Sequence, residues 1–401
     1  MQEPCHFMAK LIAFTAFLLI GIPLEQAAAG SAALRIFWSE TIPGGRTSQD
    51  ALAIRGISLD AGGSIVALGN KGVSQSILLR PSETGPGSII ELATQGKAST
   101  IVQGPAETLW LAGLTNRRMY VPGGTMADAY LGKLDPQGRI VAEYSFHSFR
   151  FRYIQSVTML DSGELVVAGR DGAENWLAAV STQGRLLWQR RLGLGKGVAV
   201  SAVGDQIVAA TIAGRREDDN KKYWDDVNVL SVDRTGHVIG WQTVRANINS
   251  HSGAQYGTVA MVKSRTAFYV LSSWHDTQSV KSLEIIKLSF DGSISWRKEL
   301  SHSISQERNI TWRSCDQGQM ALENDDLLVV CSIEAQILVF RLDAKNGDVT
   351  VMSVPLPECH EGRPAALFPV QRKNGAIWIF GSRPDSNIGK SCTWLGELSL
   401  P

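Results

Sequence analysis

The chain reads as an all-β protein: a seven-bladed β-propeller of four-stranded antiparallel blades, closed by an N-terminal strand that completes the last blade. Three observations predict it. A short apolar run recurs seven times, from Gly69 at the end of the first copy to Gly381 at the end of the last, at a mean spacing of about 52 residues. Each copy follows a tight-turn signal and precedes two further strand-like runs, one in the last copy, and no segment beyond the N-terminus sustains a helical period. An orphan strand-like segment stands at the N-terminus while the last repeat lacks its outermost strand.

The first thirty residues are read separately. Lys10 precedes "LIAFTAFLLIGI", followed by Pro23 and "EQAAAG". A basic residue, about twelve apolar residues and small residues at Ala27 and Ala29 match a secretory signal over residues 1–29. The run is too short to span a bilayer as a helix. Cys5 precedes the apolar run, the wrong side for a lipid-anchored cysteine. The expectation is an exported chain, periplasmic or secreted, with residues 30–401 as one domain and no membrane span after cleavage.

The repeats follow in order. The first run of each is "SIVALG" (Ser64–Gly69), "TLWLAG" (Thr108–Gly113), "ELVVAG" (Glu164–Gly169), "QIVAAT" (Gln206–Thr211), "AFYVLS" (Ala267–Ser272), "DLLVVC" (Asp326–Cys331) and "AIWIFG" (Ala376–Gly381). Turn formers such as "DAGG", "DSG" and "KNG" precede them. A strand lies before each turn, as "IQSVTML" does before "DSGELVVAG". A second run comes after a gap of variable length: "SILLRPS", "AYLGKLD", "NWLAAVS", "VNVLSVD", "LEIIKLS", "ILVFRLD" and "TWLGELS". A Gly turn and an outer strand end each unit, clearest in "QGRLLWQRRL", "TGHVIGWQTV" and "DGSISWRKEL". Four antiparallel strands per unit describe a propeller blade. The last unit stops at "TWLGELSLP", and "LRIFWSETI" near the N-terminus supplies the missing strand. Its Trp38 is expected to match Trp188, Trp241 and Trp296 of the outer strands and to lie near Trp394. Such pairing removes an exposed sheet edge.

The outer-strand motif, a turn with Gly and then Trp four positions on, stands in "AVSTQGRLLW" (Ala179–Trp188) and "KLSFDGSISW" (Lys287–Trp296). It resembles the repeat of pyrroloquinoline-quinone-like (PQQ-like) propellers, which include quinoprotein dehydrogenases and an outer-membrane assembly propeller. The resemblance covers the whole mature chain and implies a Trp packed between neighbouring blades. It implies fold rather than function. Quinoprotein dehydrogenases use eight blades and a vicinal disulfide; this sequence has no adjacent cysteines.

Charge excludes one class of partner. With 39 Lys and Arg, 38 Asp and Glu and a net charge of +1, the chain lacks the basic footprint of a nucleic-acid binder. Removing the signal leaves Cys315, Cys331, Cys359 and Cys392, all in the last quarter. An even number in an exported chain suggests two disulfides with three possible connectivities. The pairing favoured here is Cys315–Cys331 and Cys359–Cys392, each within one blade.

Binding residues are sought on the face formed by interblade loops and second-to-third-strand loops, which surrounds the channel mouth of a propeller. Five of the six mature histidines map there: His147, His251, His302 and His360 between blades, and His275 between a second and a third strand. His237 falls on the opposite face. Cations and aromatics join them, giving His147, Arg152, Tyr153, His251, Tyr256, His275, Trp312, Arg313, His360 and Arg363 as ligand-binding candidates. The longest second-to-third-strand loops are expected at "NRRMYVPGG" (Asn116–Gly124) and "RREDDNKKYWDD" (Arg215–Asp226).

No histidine pair has the short-range spacing of a metal site, so no metal is assigned. No nucleophile elbow, zinc-protease helix, phosphate loop or calcium loop occurs. These patterns point to a binding module for a protein, peptide or glycan, and the cofactor and catalytic residues are unassigned. The alternative is a periplasmic oxidoreductase or its propeller subunit, associated with a quinone as in amine dehydrogenases, whose plan this chain resembles.

Overall fold

Why the first runs are unbroken apolar stretches rather than alternating ones becomes clear once the strands are placed: each is sandwiched between two neighbouring blades. In a computed structural model the described residues are 32–400, apart from 44–51, 72–74, 116–118, 122–123, 148–151, 196, 218–221, 245–254, 276–280, 301–318, 324, 334–335, 357–365, 373 and 386–389. Among them are thirty strands and no helix.

Blade 1 is β2 (Leu52–Leu59), β3 (Ile65–Lys71), β4 (Gln75–Ser82) and β5 (Gly85–Leu92). Blade 2 is β6 (Gly96–Gln103), β7 (Leu109–Thr115), β10 (Ala129–Leu134) and β11 (Ile140–Phe146). Blade 3 is β12 (Arg152–Met159), β13 (Leu165–Asp171), β14 (Glu174–Val180) and β15 (Leu186–Leu194). Blade 4 is β16 (Gly197–Val203), β17 (Gln206–Glu217), β18 (Lys222–Val232) and β19 (Val238–Val244). Blade 5 is β20 (Gln255–Lys263), β21 (Phe268–His275), β22 (Lys281–Leu288) and β23 (Ile294–Glu299). Blade 6 is β24 (Gln319–Glu323), β25 (Asp326–Ile333), β26 (Gln336–Leu342) and β27 (Val349–Pro355). Each is a four-stranded antiparallel sheet in chain order.

The seventh sheet joins β28 (Ala366–Gln371), β29 (Ile377–Asp385) and β30 (Lys390–Ser399) to β1 (Ala33–Pro43), in the order β1-β30-β29-β28. β1 runs antiparallel to β30 from Ala33 opposite Ser399 to Pro43 opposite Lys390, with a bulge between Ile36 and Trp38. Trp38 is opposite Leu395, one residue from Trp394.

The core is seven clusters, one at each interface between blades. Alternation along each second strand divides its side chains between two of them. In β25, Leu327, Val329 and Cys331 pack with blade 5, and Leu328 and Val330 pack with blade 7. The cluster between blades 7 and 1 joins Phe368, Trp378 and Phe380 to Ile54, Ile65 and Ile77, so the packing runs round the ring.

Polar links from one blade to the outer turn of the next reinforce these clusters. Arg80 Nη2 donates to Pro136 O, and Ser231 Oγ donates to Asp291 O at 3.1 Å. Lys287 Nζ donates to Ala344 O. Blade 3 has Ala179 at this place in its third strand, and there the outer-strand Trp188 serves, donating from Nε1 to Arg234 O at 2.7 Å. Its ring lies on Gly236, where φ is +89° and an added Cβ would come within 2.8 Å of the indole.

Trp241 departs from the expected match to Trp188 and Trp296. Trp188 pairs with Ala179 and Trp296 with Lys287, but their counterpart in blade 4, opposite Ser231, is Gly240. Trp241 is five residues beyond its turn glycine rather than four, and one residue of offset sends a strand side chain to the other face. It is 52% exposed. Both long loops also contain strand. Within Asn116–Gly124, β8 (Met119–Val121) pairs with β9 (Gly124–Met126), and the ladder of β17 and β18 continues outward to Glu217 opposite Lys222.

Candidate functional site at the channel mouth

Seven innermost strands cannot meet on the axis, and they leave a channel with a cavity of about 660 Å³. Every blade contributes wall residues, among them Arg55, Ser99, Tyr153, Gln155, Gln319 and Phe368. The wall is polar at intervals because alternate inner-strand residues face the axis. Gln155 Nε2 donates to the Tyr153 hydroxyl at 3.2 Å.

The interblade-loop end of blade 3 concentrates the charge. Arg152 begins the inner strand, and only 5% of its surface is exposed. Its guanidinium stacks 4.6 Å from the Trp176 ring centre and stands 3.5 Å from the Asp171 carboxylate. Burial lowers its pKa, opposed by the charge of Asp171. On the adjoining end of blade 2, His147 Nδ1 meets Asp128 Oδ2 at 2.7 Å, with the imidazole exposed. Arg191 pairs with Glu174 at 3.2 Å. Arg152 and Arg191 thus face Asp171 and Glu174, with Asp128 beside His147, whereas Arg170, next to Asp171 in β13, shares the opposite face of the sheet with Asn175.

Buried polar atoms without a hydrogen-bond partner are frequent in the same blade, divided between the face toward blade 2 (Arg152, Trp176), the face toward blade 4 (Arg170, Asn175) and the channel wall (Gln155). They are Arg152 Nε, Gln155 Oε1, Arg170 Nε, Asn175 Oδ1 and Trp176 Nε1, more than in any other blade among the described residues. Buried donors and acceptors are nearly always satisfied, so the excess sets blade 3 apart from the other six. A mixed set of donors, acceptors and aromatic surface suits a ligand rich in hydroxyls or amides.

The structure brings together His147, Arg152 and Tyr153 of the residues expected from sequence. Tyr256 and His275 lie on adjacent strands at the same end of blade 5, where Tyr256 is opposite Trp274 and His275 opposite Gln255. His251, Trp312, Arg313, His360 and Arg363 lie outside the described residues, as do residues 1–29. Sequence reasoning missed Asp128, Gln155, Arg170, Asp171 and Trp176. One signal was available: Arg170 follows the recurrent run directly, where the other six repeats carry no charge.

Among the described residues no group of three or more His, Cys, Asp or Glu is placed to hold a metal ion, and no helix is long and apolar enough to cross a membrane. Cys331 and Cys392 are buried and disulfide-bonded. Cys315 and Cys359 lie outside the described residues.

No protein-family model matches the chain, and no curated protein matches it. The PQQ-like likeness therefore stands on the repeat alone. Among solved structures, the chain is similar to a crystal structure of a protein from Lactobacillus plantarum. The TM-score is 0.51 at 12% identity, covering 82% of this chain and 99% of that one. At that identity the similarity shows fold and nothing about ligand. The architecture is that of a β-propeller of seven four-stranded blades, and the comparison adds a similarity in fold.

Proposed function

We propose that this chain is an exported propeller that binds a polar ligand, a peptide or glycan segment of a partner, at the channel mouth beside blade 3. The observation that carries this reading is the excess of partnerless buried polar atoms in blade 3, on both faces of its sheet and, with Gln155 Oε1, on the channel wall itself. Arg152 and Arg191 are already paired with Asp171 and Glu174, which favours hydroxyl and amide groups over a strong ion, and the rigid blades hold the site preorganised. Tyr153→Phe and Gln155→Leu change the channel wall while leaving the Arg152–Trp176 stack alone. Screening arrays of oligosaccharides and peptides, then titrating the hits, is expected to give a ligand that either variant weakens at least tenfold. Hits untouched by both variants, or turnover of a substrate at ordinary enzyme rates, would overturn the proposal.

Export is supported by the signal-like N-terminus and by the cysteines. We pair Cys315 with Cys331 and Cys359 with Cys392. Cys331 faces the cluster between blades 5 and 6, and Cys392 the cluster between blades 6 and 7. The sheet of blade 6 separates them, which argues against a bond between the two. The chain enters blade 6 through Cys315 and blade 7 through Cys359, so each pairing joins an entering segment to the blade it enters. Peptide mapping under non-reducing conditions is expected to recover these two links. A Cys331–Cys359 peptide would refute the assignment.

A further inference from the structure

We infer that the opposite mouth of the channel, the end formed by the turns between first and second strands, carries a second site. It takes a ligand bearing several phosphate or sulfate groups. A cavity of about 620 Å³ opens there across blades 5, 6 and 7, lined by Lys263, Ser264, Arg265, Leu322, Gln371, Arg372, Asn374 and Gly375. Every charged residue of this lining is a cation.

The arrangement breaks a pattern of the repeat. The turn from first to second strand carries a carboxylate in five blades: Asp60, Glu107, Asp161, Asp205 and Asp325. Blades 5 and 7 replace it with Lys263 and Arg265 and with Arg372, on the two flanks of the cavity. The cations are held in place. The Arg372 guanidinium lies 4.2 Å from the Trp378 ring centre. Ser264 Oγ accepts from Thr266 N at 3.2 Å and Ala267 N at 3.0 Å, fixing the turn between Lys263 and Arg265.

The acidic groups of the intervening blade 6 are turned to other work. Arg341 Nε lies 3.5 Å from Glu323 and 3.0 Å from Asp326. Asp325, exposed on the turn, is the remaining carboxylate of that blade near the mouth.

Lys263 and Arg265 are exposed and Arg372 half-buried, which sets the ligand's chemistry. One exposed ion pair contributes at most about 1 kcal/mol, so a single anionic group would not be retained. Two or more phosphates or sulfates on one scaffold engage both flanks at once. Arg adds a planar fork that matches an oxyanion bidentately.

The test is titration calorimetry of the full mature chain with two probes, inositol hexakisphosphate and a heparin-derived tetrasaccharide, at low and at physiological salt. The expected result is one saturable site for at least one probe, weakening as salt rises. Affinity falls at least tenfold in Lys263→Ser/Arg265→Ser and holds in Tyr153→Phe, which lies at the other mouth. The probe that binds identifies phosphate or sulfate as the group recognised. Absence of saturable binding by both probes at low salt overturns the inference, and so does binding that the double variant leaves unchanged while circular dichroism shows it folded.

Discussion

Two tryptophans one position apart in the register of their repeats, but opposite in fate, show how a single position decides a side chain's work. Trp188 covers Gly236 and donates to the Arg234 carbonyl of the next blade, whereas Trp241 is 52% exposed and donates from Nε1 to Thr243 Oγ1 in its own strand at 3.4 Å. Trp188→Ala is expected to cost about 2 kcal/mol in urea unfolding, from lost packing and a lost hydrogen bond. Trp241→Ala is expected to cost about 0.5 kcal/mol or less. Equal losses would contradict the register described above. The interblade pair of Glu164 and Arg234 makes a pH prediction. The hydrogen bonds from Arg234, at 3.0 and 2.9 Å, hold the Glu164 carboxyl below its ordinary value of 4.5. A carboxyl whose pKa is lower when folded stabilises the fold above its unfolded pKa, and this is lost as pH falls through the folded value. Thermal melts from pH 7 down to pH 3 should therefore decline less steeply for Glu164→Gln than for the parent.

At the scale of elements, β1 is the one strand that comes from the far end of the chain. Without it β30 would present an unpaired edge, and Leu34 would be removed from the cluster it shares with Trp394 and Leu398. Deleting residues 33–43 is expected to lower the melting temperature by roughly 10 °C or more and to promote association through the bared edge. A truncated chain that melts like the parent and elutes as the same species would show that β1 has no part in holding the ring. Strand type and order were legible in sequence because both leave local signals: apolar runs, turn glycines and a recurrent spacing. The long second-to-third connections were harder. "RREDDNKKYWDD" reads as a charged loop, but cross-strand pairing from Arg215 opposite Trp224 to Glu217 opposite Lys222 makes it a ribbon, and such pairing leaves no apolar alternation to read.

Over the whole molecule the two mouths of the channel differ in chemistry. One holds paired charges beside a blade with several partnerless buried polar atoms, and the other is flanked by cations. Part of the first was legible: His147, Arg152 and Tyr153 followed from assigning loops to faces. Trp176 and Asp171 were hidden because each sits in a strand or turn whose local pattern is unremarkable.

The amino-acid order by itself determined the number of repeats, the four-strand unit and the neutral overall charge, since these follow from spacing, turn chemistry and counting. Only the tertiary structure decided which way Trp241 points, which buried polar atoms meet in blade 3, and that Lys263, Arg265 and Arg372 flank one cavity. Those outcomes depend on register parity and on residues far apart in the chain meeting across the ring, and neither leaves a mark on the local sequence.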